Sequence, residues 1–137
     1  MVFLENLATP GWRCVRFTGA AAEWPSPDAF AGKGIELLDL DASRLDSERE
    51  LLGELARVFR FPDYFGDNWD ALDECLTDLE WLPARGYVLR VQDAGRLWRH
   101  LPAAAGKLVE AWLAAAEEWA REDVAFHLVF LWTEPAG

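Results

Sequence analysis

Positive charge is in short supply in this chain. Thirteen Lys and Arg stand against twenty-four Asp and Glu, a formal net charge of −11. That sign argues against direct binding of RNA, DNA or an anionic membrane, because each needs a basic footprint. A basic partner is expected instead. Cysteine is scarcer still, with only Cys14 and Cys75. Two are too few for a disulfide framework, and no CxxC or Cys/His spacing points to zinc. No metal or cofactor is therefore expected. The two histidines, His100 and His127, have no Ser or Cys arrangement near them that would make a triad. No apolar run reaches the ~18 residues that span a bilayer. Met1-Val2-Phe3-Leu4-Glu5-Asn6 has neither the basic start nor the apolar run of a signal peptide. The expectation is a soluble cytoplasmic protein with reduced thiols.

What is present is core material. Of 137 residues, 52% are hydrophobic, with eight Trp and eight Phe, which excludes wholesale disorder and fits one domain with an arm. The division is 1–34 for an N-terminal extension and 35–137 for the main domain. In the extension, Trp12 to Phe17 reads as a short strand. Gly19, an Ala run, Pro25-Ser26-Pro27, Gly32 and Gly34 then read as breakers in a loop-rich arm.

The main domain alternates strands and helices. Ile35 to Leu40 is a short apolar strand after a glycine. Ser47-Glu48-Arg49-Glu50 has capping-box spacing, and Leu51, Leu52, Leu55, Val58 and Phe59 recur at helical period. Pro62 stops that helix near Phe59 or Arg60. A second helix is expected from Asp67 or Asn68 to about Leu79. Tyr87 to Val91 is a strand, Leu97 to Leu101 a helical turn, and Ala103 to about Glu122 a long amphipathic helix. Val124 to Trp132 is apolar throughout, as in a strand buried on both faces. Strand–helix–helix–strand–helix–strand predicts an α/β fold with three parallel strands packed by helices, to which the extension would add a strand.

The charge is concentrated in one place. Residues 61–84 hold seven carboxylates and no Lys or Arg. On a helix at 100° per residue, Ala71, Leu72, Cys75, Leu76 and Leu79 share one face, and Asp70, Asp73, Glu74, Thr77 and Asp78 the other. The apolar face is core, with Cys75 a small hydrophobe rather than a nucleophile. Like charges at i, i+3 and i+4 cost roughly 0.2–0.5 kcal/mol per pair. The first acids answer the helix dipole, but Glu74 and Asp78 lie beyond its reach. Trp69 and Trp81 flank the acidic face.

The run Phe61-Pro62-Asp63-Tyr64-Phe65-Gly66-Asp67-Asn68-Trp69-Asp70-Ala71-Leu72-Asp73-Glu74-Cys75-Leu76-Thr77 closely resembles the signature segment of the barstar family, intracellular inhibitors of the ribonuclease barnase. The resemblance extends over about residues 34–132. It implies three parallel strands with packed helices, no catalysis, and a basic ribonuclease as partner, its cleft plugged by carboxylates in the place of RNA phosphates. By position, Tyr64 is the loop aromatic, Gly66 allows the tight turn, and Asn68 caps the helix. Asp70 matches the first contact carboxylate. Glu74 stands where the dominant contact is usually Asp, one methylene further out. Asp73 and Leu79 replace aromatics. Trp69 and Thr77 complete the expected contact set on the segment. Glu118 falls at the remaining contact carboxylate, or is a solvated glutamate on an Ala-rich helix.

Two other readings are available. Asp39-Leu40-Asp41-Ala42-Ser43 leaves a strand as the DxD of magnesium-dependent phosphotransferases does, with Asp39 and Asp41 in the acting positions. Ser43 fits that pattern poorly, and no lysine motif accompanies it. The other is an acidic module whose basic partner is not a nuclease.

Overall fold

A computed structural model describes residues 2–11, 13–63 and 66–132. In chain order the elements are α1 (Leu4–Leu7), β1 (Val15–Gly19), α2 (Pro27–Gly32), β2 (Ile35–Asp41), α3 (Glu48–Phe59), α4 (Trp69–Asp78), β3 (Gly86–Gln92), α5 (Ala94–His100), α6 (Pro102–Arg121) and β4 (Ala125–Trp132). The strands form one parallel sheet in the order β1-β4-β3-β2. Parallel neighbours need crossovers. The chain supplies α2 after β1, α3 and α4 after β2, and α5 and α6 after β3. The two central strands are the apolar runs of the sequence, buried along almost their whole length.

Alternation along each strand sorts the core into two layers. Leu38 and Leu40, Tyr87, Leu89 and Val91, and Phe126, Leu128 and Phe130 face α3 to α6 in the larger layer. Its aromatic centre is Trp112, stacked on Phe126 at 4.1 Å between ring centroids. The opposite face presents Ile35, Val88, Val129 and Leu131, covered by Leu7 of α1 and Phe30 of α2. The N-terminal extension thus contributes an edge strand and the lid over the second face. The sequence predicts the strand and reads the rest as loop. α1 and α2 are short helices, and α2 starts at the Ser-Pro read as a breaker: Ser26 Oγ accepts from Ala29 N–H, with Pro27 at the first helical position.

Local signals set the element ends. Ser47 Oγ accepts the Glu50 N–H at 3.1 Å, and the Glu50 carboxylate reaches back to Asp46 N–H at 2.8 Å, one residue before the cap. Arg60 then turns left-handed at φ 56° and ends α3 two residues before Pro62. The expected helical turn near Leu97 is the seven-residue α5, separated from α6 by Leu101, and Pro102 opens α6.

Candidate functional site

Tyr64, together with Phe65, lies outside the described residues. The turn into α4 is described from Gly66 on. Its left-handed residue is Asp67, at φ 51°, not Gly66. The glycine serves a different need, since a Cβ there would stand 3.0 Å from Asn68 Nδ2. That amide donates to the Gly66 carbonyl at 3.2 Å, while Asn68 Oδ1 accepts the Ala71 N–H at 2.8 Å. Asn68 is the N-cap, and both halves of its amide are spent on folding the turn.

α4 then shows two chemistries. Leu72, Cys75 and Leu76 are buried against the core, and burial pushes the Cys75 thiol up, with Asp78 and Glu74 adding to it. Asp70, Asp73, Glu74, Thr77 and Asp78 are exposed. None of those four carboxylates forms an ion pair among the described residues. Asp73 is held above the usual carboxylate range, first by partial desolvation and then by the negative charge of Asp70. Thr77 offers little outward, because its hydroxyl donates back to the carbonyls of Asp73 and Glu74 at 3.0 and 3.1 Å.

The flanks of α4 are fastened to its neighbours. The half-buried Trp69 donates its indole N–H to Glu48 of α3 at 2.6 Å, and Lys107 of α6, itself bound to Glu48, lies over the ring at 5.8 Å. Beside it an open groove runs between α4 and α6, bounded by Trp69, Asp73, Lys107, Glu110 and Ala114. The sequence reading passes over Glu48, Lys107 and Glu110, which adjoin the acidic segment only through helix packing. At the far end, Trp119 of α6 donates to the Leu76 carbonyl at 2.8 Å and fixes the last turn of α4. Its neighbour Glu118 is 57% exposed and bound to Arg121 at 2.8 Å, so part of its charge is met within α6. Trp81 turns inward, its N–H on the Phe59 carbonyl at 2.9 Å.

The strand-end aspartates are engaged otherwise. Asp39 accepts both arms of Arg90, at 2.8 and 2.7 Å, and the Gln92 amide at 3.1 Å. Asp41 accepts the Ser43 N–H at 2.9 Å, and this bond holds its carboxyl below the usual range. Among the described residues, no group of three or more His, Cys, Asp or Glu is placed to hold a metal ion, and no helix is long and apolar enough to cross a membrane. On α4 the geometry offers an outward row of carboxylates.

Residues 35–131 match the family described as Barstar (barnase inhibitor). No curated protein matches the chain.

Proposed function

The chain belongs to the barstar family, and on that footing we propose that it is a stoichiometric inhibitor of a basic microbial ribonuclease. The observation that carries the reading is the pair Asp70 and Glu74. They lie one turn apart on the outer face of α4, exposed and in no ion pair among the described residues. A ribonuclease holds RNA through cationic side chains grouped in a cleft. Carboxylates one helical turn apart, roughly 5–6 Å between their Cβ atoms, meet such a group as phosphates would. α4 is pinned at its start by Asn68 and Trp69 and at its end by Trp119, so the helix beneath the row needs no ordering at binding. Asp73, Tyr64 and Glu118 extend the contact in this reading. The setting is the cytoplasm of a cell that makes a secreted ribonuclease and must neutralise the copies that stay behind.

Mixing decides it. Added to its target ribonuclease, the protein should abolish RNA cleavage at one-to-one stoichiometry. Asp70→Ala and Glu74→Ala should each weaken the complex by about 2–5 kcal/mol, the general cost of truncating one partner of a buried charge pair. If a panel of basic microbial ribonucleases, including any from the same genome, stays fully active, the proposal fails.

A further inference from the structure

The acidic surface of α4 continues onto α6. At 100° per residue Asp73 lies about 60° round α4 from Asp70 and about 40° from Trp69. It therefore belongs both to the outward row and to the wall of the groove toward α6. That groove has a volume of about 330 Å³, with Asp73 on its α4 wall and Glu110 on its α6 wall. Both carboxylates are exposed and in no ion pair among the described residues. The rest of the lining is the Trp69 side chain, Ala111, Ala114 and Lys107, and the two alanines keep the α6 wall low. Lys107 is held by Glu48 at 3.1 Å, so its charge is met outside the groove, and the charges of Asp73 and Glu110 are left uncompensated.

Apolar walls and two unpaired carboxylates suit one kind of occupant. A long basic side chain lays its methylene stem along alanine and indole and brings its charged head to the acids. An apolar occupant would desolvate both carboxylates without pairing them, and an acidic one would be repelled. Asp73 points the same way: partial desolvation, then the charge of Asp70, hold its carboxyl above the usual range, and a cation beside it offsets both effects. We propose that the α4–α6 groove receives one lysine or arginine side chain from the rim of the ribonuclease cleft, its charged head meeting Asp73 and Glu110. This rests on the inhibitor reading and deepens it. Glu110 becomes a residue that selects among basic ribonucleases, favouring those with a basic side chain at that place on the rim.

The test uses the full chain with the ribonuclease that it inhibits in the mixing experiment, and reads dissociation constants from the inhibition of RNA cleavage. Glu110→Gln should raise the constant about tenfold, chiefly by faster dissociation. Ala114→Phe fills the groove from α6 and should weaken the complex at least as much. Both positions are exposed, and unchanged melting of the free variants checks that the fold is intact. Glu5→Gln, on α1 over the opposite face of the sheet, removes the same charge and should leave the constant within about twofold. Alanine replacement of each Lys and Arg around the enzyme's cleft should find one whose loss makes Glu110→Gln neutral. Equal losses for Glu5→Gln and Glu110→Gln would assign the effect to net charge, and a loss with Ala114→Phe alone would mean an apolar occupant; either overturns the proposal. If Asp70→Ala weakens the complex while Glu110→Gln and Ala114→Phe do not, the groove contact falls and the inhibitor reading stands. If the unaltered chain inhibits no ribonuclease, both fall.

Discussion

Asp70 and Asp73 sit three residues apart on α4 with the same charge, and partial burial of Asp73 adds to the strain between them. Asp73→Asn should therefore raise stability at neutral pH by about 0.2–0.5 kcal/mol, read as a higher denaturation midpoint. By the same logic Asp70→Ala and Glu74→Ala should leave stability level or slightly higher, so any loss of binding they cause is a loss of contact. Both variants losing stability while inhibition by the folded fraction is unchanged would make the row structural. His127 gives a pH dependence of the opposite kind. Burial holds its pKa in the fold below the ordinary 6.5, so the unfolded chain binds the proton first as pH falls. The stability it contributes is complete above 6.5 and is lost as pH drops from there toward the folded value. His127→Leu should flatten that part of the melting profile, and an unchanged slope would assign it to other groups.

Among the elements, α4 combines a cap written in local sequence with an anchor that is not. Asn68→Ala removes the acceptor for Ala71 N–H and should cost about 1 kcal/mol in chemical denaturation. Trp119→Phe keeps the aromatic stacking on Phe126 and removes the bond to Leu76 O. It should cost about 0.5–1.5 kcal/mol and, by loosening the last turn, speed dissociation from the partner. The cap was legible because Asn68 and Ala71 are three residues apart. The anchor was not, because 43 residues separate Trp119 from Leu76. Separations of 21 and 59 residues likewise hid the Glu48–Trp69–Lys107 cluster. Strong local period made the long helices readable, whereas α1, at four residues, is too short to show one.

For the whole molecule, net charge and the second sheet face matter most. A chain of −11 meeting a basic enzyme is drawn in by long-range attraction, so the association rate should fall steeply as salt rises while dissociation changes little. Stopped-flow mixing over a range of ionic strength measures this, and a flat association rate would remove steering from the account. The N-terminal extension bears on stability instead. Leu7 and Phe30 are fully buried over Ile35, Val88, Val129 and Leu131. Phe30→Ala should cost about 3–5 kcal/mol, and a chain lacking residues 1–34 should expose that apolar face and aggregate. A truncated chain as soluble and as stable as the intact one would show that the lid is dispensable.

The linear order of residues determined, unaided, the α/β alternation, the buried central strands, the caps of α3 and α4 and the two faces of α4. All of these follow from spacings of a few residues, where backbone geometry alone fixes which side chains share a side. Only the tertiary structure decided that Asp39 is taken by Arg90, that Trp69 is clamped by Glu48, and that a histidine on β4 lies beneath the loop after α1. Those pairings join residues 21 to 118 positions apart, and no local periodicity records which distant strand or helix will come to lie alongside.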